Sequence, residues 1–295
     1  MRADLLMLLA AMIWGCSFVA QRESLSTMGP IFYNGVRFLL GAVVVAGYTL
    51  WRTRSVARTP QASQQLRASR AGAWAAGSLL GGLVAVSICA QQIGLRYTQV
   101  ANAGFITAMY VVIVPWLSIL RGQRVRLVTG LGAASAAVGL YYLSGERWSL
   151  SYGDALELFG ACVSSVQLIC IGAWTQTYEP VRLALIQCIV CGLLCLGVAC
   201  FVEPIHWQEI ERSALTLFVG GALSVGIANT IQMIAQRDAQ PSHAAIIFST
   251  EGVFAALAAW IVLGQTLTPH AIGGCALVVL GCVLCQLMPA RARAA

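Results

Sequence analysis

The chain has 295 residues, 59% hydrophobic and only 10% charged, with a mean hydropathy of +0.78. A soluble domain carries about a quarter charged residues, so the charge needed to cover a water-facing surface is missing and an apolar solvent must face most of the exterior. The net charge of +7 does not indicate nucleic acid, because all 18 basic residues are Arg and sit mainly in short breaks between apolar runs.

A helix needs about 20 mostly apolar residues to cross the hydrocarbon core. Ten segments qualify: 4–21, 31–51, 72–95, 101–120, 126–143, 153–174, 181–202, 213–235, 242–263 and 270–288. Each is expected to be helical, because lipid cannot satisfy an open backbone. Arg2 and the apolar stretch from Leu5 to Ala20 resemble a signal peptide, but no cleavage site is followed by a soluble domain, so an uncleaved first span is expected. Prolines mark the starts of spans 2, 7 and 9 at Pro30, Pro180 and Pro241, and Thr268-Pro269 supplies a cap and a first-turn proline for span 10. Pro115 lies well inside span 4, where it should kink the helix and free a carbonyl near residue 111. Gly77 and Gly81 form a GxxxG pattern in span 3, read as a close helix crossing. The eleven Cys all fall in apolar runs and are read as small hydrophobes. Cys188, Cys191 and Cys195 share one helix face, but no His or carboxylate joins them at ligand spacing, so neither a metal nor another cofactor is expected.

Orientation follows from Arg. With the N-terminus cytoplasmic, 13 Arg fall in inner segments and 4 in outer ones, with Arg37 inside span 2. This predicts cytoplasmic termini in a bacterial-type inner membrane. Trp51, Trp74 and Trp174 then belong at the inner interface, and Trp148 and Trp207 at the outer one.

The chain repeats itself. The segment from Cys89, CAQQIGLRYTQVANAGFI, aligns without gaps to TIQMIAQRDAQPSHAAII from Thr230, an offset of 141. Gln91 meets Gln232 and Arg96 meets Arg237. Spans 5 and 10 follow at an offset of 142, and spans 1 and 6 at about 150. Two units are expected, 1–145 and 150–290, each of five spans. An odd number of crossings forces the second unit upside down, which predicts an all-α membrane fold of ten helices as two inverted repeats around a central site.

The motifs IWGCSFVAQR in span 1, VRFLLGA in span 2, ANAGFITAMYVVIVPWLSIL in span 4 and EGVFAALAAWIVLGQTLTPHAIGGCALVVLGCVL near the end are similar to the EamA group of the drug/metabolite transporter superfamily. The resemblance implies a secondary carrier with a central substrate cavity, often an exporter of amino acids or related metabolites. Two positions depart from the pattern. Gln265 stands where the family usually has Glu, and Gly252 follows Glu251 where a proline is frequent, which should relax a kink.

Ionisable residues inside the bilayer are costly and mark function. Glu251 lies about nine residues into span 9, roughly 14 Å deep at 1.5 Å per residue. It is read as a cavity group that contacts an amine or carries a proton, or as a structural carboxyl. Arg37, in the RFLL motif, either binds a substrate carboxylate or snorkels to the outer interface as an anchor; a pair with Glu251 is a third use. Asp154 and Glu157 at the start of span 6 read as helix caps. The repeat pairs Tyr110 with Glu251, Trp14 with Ser164, Ser17 with Gln167 and Gln91 with Gln232. These eight residues and Arg37 form the candidate substrate-binding set.

No ATP-binding loop is present, and His206, His243 and His270 do not cluster, so no catalytic residues are assigned and an enzyme is not expected. The expectation is a monomeric carrier of small metabolites, amino acids foremost, whose partners are a small-molecule substrate and the lipid bilayer. Broad drug efflux and a passive channel are the alternatives.

Overall fold

The computed structural model describes residues 2–55, 70–122, 127–143, 151–266 and 268–287. Ten helical crossings follow one another among them: α1 (Arg2–Ser24), α2 (Pro30–Ser55), α3 (Arg70–Gly94), α4 (Val100–Leu120), α5 (Leu127–Leu143), α6 (Tyr152–Trp174), α7 (Pro180–Val202), α8 (Ala214–Gln236), α9 (Pro241–Leu263) and α10 (Pro269–Leu287). Eight are long and apolar enough to cross a membrane, while α5 and α10 are shorter apolar helices. A helix of 23 residues such as α1 reaches about 34 Å, enough for the hydrocarbon core. A one-turn helix, Gln208–Arg212, was not expected from the apolar pattern because it lies in the connection before α8.

The elements begin where the sequence places its signals. Pro180 and Pro241 open α7 and α9. Thr268 Oγ1 accepts from the Ala271 amide at 3.2 Å at the start of α10. Gly264, at φ +65°, ends α9 in a left-handed conformation. Ser151 and Asp154 cap α6 reciprocally. The start of α2 is capped from elsewhere: the Glu203 carboxylate, at the end of α7, accepts from the Ile31 and Phe32 amides at 3.0 and 2.8 Å.

The inversion is visible in the packing of matched helices. α5 and α10 occupy the same place in the two halves. A Cβ on Gly139 would lie 2.5 Å from the Gly274 carbonyl oxygen, and one on Gly281 2.5 Å from that of Gly132. Along α5 the partners on α10 run in reverse, so the two helices are antiparallel. α2 and α7 repeat the pattern: Gly35 meets Leu196 and Gly192 meets Leu39. A pseudo-two-fold axis in the membrane plane follows. Gly77 and Gly81 do make a close crossing, against Ile186 and Val190 of α7. The GxxxG pattern is therefore used within the chain.

Three details correct the sequence reading. α4 is interrupted at Ala108 and Met109 rather than by Pro115, which sits inside the continuous piece Tyr110–Leu120. The interruption is a tightened turn in which Val111 and Val112 donate to Ala108 and Met109. α9 breaks at the equivalent place, Ser249, without any proline, so Gly252 does not straighten it. There the Ser249 and Thr250 hydroxyls bond the Ile246 and Ile247 carbonyls, both at 2.7 Å, in competition with the helical ladder. Phe218–Ala228 of α8 is wound as a π-helix, which the matching stretch of α3 is not.

The exterior is apolar, with Phe201, Leu127 and Ile261 among the most exposed side chains, as a lipid-facing surface requires. Trp51, Trp74 and Trp207 are exposed near helix ends, as expected. Trp174 instead packs against a buried cluster around Ile171 and Leu183. Trp148 and several of the loop Arg residues lie outside the described residues. The cysteines behave as small hydrophobes, and among the described residues no group of His, Cys, Asp or Glu is arranged to hold a metal.

Candidate functional site

The helix breaks and the π-helical segment converge on one cavity between the halves, with about 740 Å³ of atom-free space, its open mouth included. That is within the range of small-ligand sites. All nine candidate residues line it: Trp14, Ser17, Arg37, Gln91, Tyr110, Ser164, Gln167, Gln232 and Glu251. They come from α1, α2, α3, α4, α6, α8 and α9, so both repeats contribute.

Tyr110 and Glu251 meet directly. The Tyr110 hydroxyl donates to Glu251 Oε1 at 2.8 Å, across the two halves. The two residues are 141 apart, the repeat offset itself. Equivalent positions touch only where they straddle the pseudo-two-fold axis, so this bond marks the axis at the cavity wall. Both restart their helices after the breaks, and the breaks aim them inward. Glu251 is buried, as is Tyr110.

Other symmetry mates face each other across the cavity with different chemistry. Trp14 Nε1 donates to Asn229 Oδ1 at 3.1 Å. In the other half Ser164, the equivalent of Trp14, meets Ser87, which precedes the equivalent of Asn229, with hydroxyl oxygens 2.5 Å apart. Matched positions of the lining thus carry a bulky indole at Trp14 and a small hydroxyl at Ser164. Phe248 packs on Trp14 with ring centroids 5.2 Å apart, giving an aromatic wall. Gln91 donates to Thr107 at 2.9 Å and Gln167 to Gln187 at 3.1 Å, while Ser17 reaches Ser224 at 3.3 Å.

Arg37 neither snorkels nor pairs with Glu251. It is 1% exposed, its guanidinium carbon 5.3 Å from the centre of the Tyr33 ring and 5.6 Å from that of Phe38. Its Nε has no hydrogen-bond partner, and among the described residues no carboxylate lies within ion-pair distance. Gly220 and Gly221 of the π-helical segment pack against Tyr33 and the Arg37 backbone. Burial there closes off the route to the interface that a snorkelling side chain needs.

The cap reading holds for Asp154 and fails for Glu157. Asp154 accepts from the Ser151 amide at 3.0 Å. Glu157, one turn further in, is fully buried and accepts from the Thr107 hydroxyl of α4 at 3.2 Å, not from an amide of its own first turn. The lining residues missed from sequence include Asn229, Ser224, Thr107, Phe248, Gln21 and Phe38. Asn229 and Gln21 were polar signals in apolar runs; Phe248 and Phe38 carried none, because an apolar residue in a span is the default.

Each face of the cavity carries a tie between the halves. Asp4 and His243 are 2.8 Å apart at one, linking α1 to α9. Thr98 donates to Asp154 at 2.6 Å at the other, linking the start of α4 to α6. Asp4 and Asp154 are equivalent positions of the repeat, so the same architectural joint recurs on both sides.

Inverted halves around a central polar cavity define the class, a secondary transporter. The chain belongs to the EamA-like transporter family, which matches residues 1–145 and 151–286. It is a transporter and not an enzyme. An uncharacterized transporter of Archaeoglobus fulgidus is 30% identical over 97% of this chain and 86% of its own length. An S-adenosylmethionine/S-adenosylhomocysteine transporter of Chlamydia muridarum is 23% identical over 96% of this chain and 91% of its own length. A crystal structure superposes with a TM-score of 0.76 at 21% identity, covering 97% of this chain and 96% of the other, which bears on the fold alone.

Proposed function

We propose that the protein carries amino acids or compounds with an amino-acid head group, and exports them by alternating access. The nine lining residues named above are the proposed substrate contacts. One observation supports this reading most. The cavity is lined by a cation, Arg37, and a carboxyl group, Glu251, and among the described residues neither has an opposite charge within ion-pair distance. A buried charge without a counter-charge is expensive. A zwitterion supplies both: its carboxylate to Arg37 and its ammonium to Glu251. The wall of Trp14 and Phe248 then takes the side chain. The relatives named for S-adenosylmethionine agree in kind, since that compound joins an amino-acid head to an aromatic base.

Counterflow in proteoliposomes tests the reading. Vesicles preloaded with an unlabelled mixture of amino acids should accumulate the radiolabelled ones, with S-adenosylmethionine assayed in parallel. A carrier shows this trans-stimulation. Flux without it would indicate a channel instead.

Removing the indole should discriminate by substrate. Trp14→Ala is expected to weaken transport of aromatic or bulky substrates about two- to tenfold, from the roughly 0.5–1.5 kcal/mol an aromatic pair contributes, and to spare alanine or glycine. Equal losses for small and large substrates would remove the stacking role.

The distribution of Arg supports cytoplasmic termini in a bacterial-type inner membrane. Tags at the two ends should both be shielded from reagents added outside intact cells. Labelling of both ends from outside would reverse the assignment, and labelling of only one would break the ten-crossing topology.

A further inference from the structure

Glu157 is 0% exposed, and its Oε1 has no hydrogen-bond partner. The fold does not require an acid there. The equivalent residue of the first half is Met7, also 0% exposed, so an unbranched apolar side chain fills the matching niche. An ionisable group kept inside a membrane where an apolar one fits points to function.

Its surroundings form a line between one face and the cavity. Toward the start of α6 lies Asp154, 9% exposed and bonded to Thr98. Toward the cavity lies Thr107, whose hydroxyl donates to Glu157 Oε2 and accepts from Gln91. Thr107 and Gln91 both line the cavity. α3 presents Gln91 and Gly94 to this spot, and a Cβ on Gly94 would come within 3.1 Å of Glu157 Cγ. The charged neighbours of Glu157 are Asp154 on its own helix and Glu251 on α9.

Resting on the carrier reading, we propose that Glu157 is the proton site that couples substrate movement to a proton gradient. A proton enters at the Asp154 face and passes to Glu157, one carboxylate gaining what the other loses. Substrate binding at Glu251 then changes the electrostatic balance around Glu157 and drives the proton to the cavity: the Thr107 hydroxyl, which lines it, turns from Glu157, gives its own proton to solvent water entering the open cavity and takes the Glu157 proton in its place. A metal cation fits poorly, because hard cations collect six or more oxygens, and Glu157 has a single oxygen partner in Thr107.

The test uses the full chain in proteoliposomes with a trapped pH dye and a mixture of the twenty radiolabelled amino acids. Wild type should acidify or alkalinise the lumen as substrate moves, and an imposed pH gradient should drive uphill accumulation. Glu157→Gln and, should that variant fold poorly, Glu157→Met (the residue of the matching niche) should lose at least about tenfold of the gradient-driven accumulation while keeping counterflow within about twofold. Gradient-driven accumulation at the wild-type level in a folded variant overturns the proposal. So does wild-type counterflow without any proton movement, which leaves the carrier reading intact. Absence of wild-type counterflow overturns the carrier reading and this proposal with it.

Discussion

Glu251→Gln is expected to reduce amino-acid transport about tenfold or more while the protein still folds. The carboxylate stands on the pseudo-two-fold axis with the Tyr110 hydroxyl 2.8 Å from its Oε1. A glutamine keeps the shape, and its side-chain oxygen still accepts from Tyr110, so the contact between the halves survives. What disappears is the negative charge that the substrate ammonium would meet. A hydrogen bond to a charged group contributes about 1.5–3 kcal/mol, which corresponds to roughly tenfold to a hundredfold in affinity. The measurement is counterflow in proteoliposomes, beside size-exclusion profiles that report folding. Wild-type flux in the variant at every pH would take Glu251 out of the mechanism. Loss of a monodisperse profile would show that its main role is structural, and Tyr110→Phe would then be the more informative substitution, since it removes the hydroxyl alone.

The largest effect on stability is expected at Gly15. A Cβ there would lie 2.5 Å from the Glu251 carbonyl oxygen, 2.5 Å from Phe254 Cβ and 2.9 Å from the Ala255 amide nitrogen. Two of these three atoms are backbone and cannot rotate away. Gly15→Val must therefore push α1 from α9, at a cost of at least about 1–3 kcal/mol, the usual range for overpacking. Because the displaced carbonyl belongs to Glu251, the cavity is deformed as well. The expected result is a lower melting temperature in detergent and no transport. Gly197→Ala in α7 is the control: nothing lies within 4 Å of its added Cβ. It should leave melting unchanged or raise it, because alanine is the better helix former. Equal melting of the Gly15 and Gly197 variants would contradict the packing described for α1 and α9.

Part of the cavity was legible in the one-dimensional chain for a specific reason. A duplicated unit places equivalent positions near a shared axis, so aligning the copies brought Tyr110 opposite Glu251 before any contact was known. The same alignment matched Trp14 with Ser164. It did not reveal the partners. Asn229 meets Trp14 because of how α8 winds through its π-helical stretch, and such winding leaves no mark in a uniformly apolar run. Glu157 was misread because an acid near a helix start is normally a cap; only its bond to Thr107 of α4 shows otherwise. Arg37 was misplaced for a related reason. Depth along a helix can be counted from residue numbers, but whether a neighbour seals the path to water depends on glycines far along the chain, at Gly220 and Gly221.

The sequence alone determined the number of crossings, the duplication and the opposed orientation of the copies. Hydropathy dictates which segments lipid accepts, and an odd count per copy admits a single topology. Tertiary structure decided which polar groups face one another. A helix carries side chains on every side, and the face turned inward depends on local breaks, on where glycines let backbones approach, and on the rotation of each helix against its neighbours.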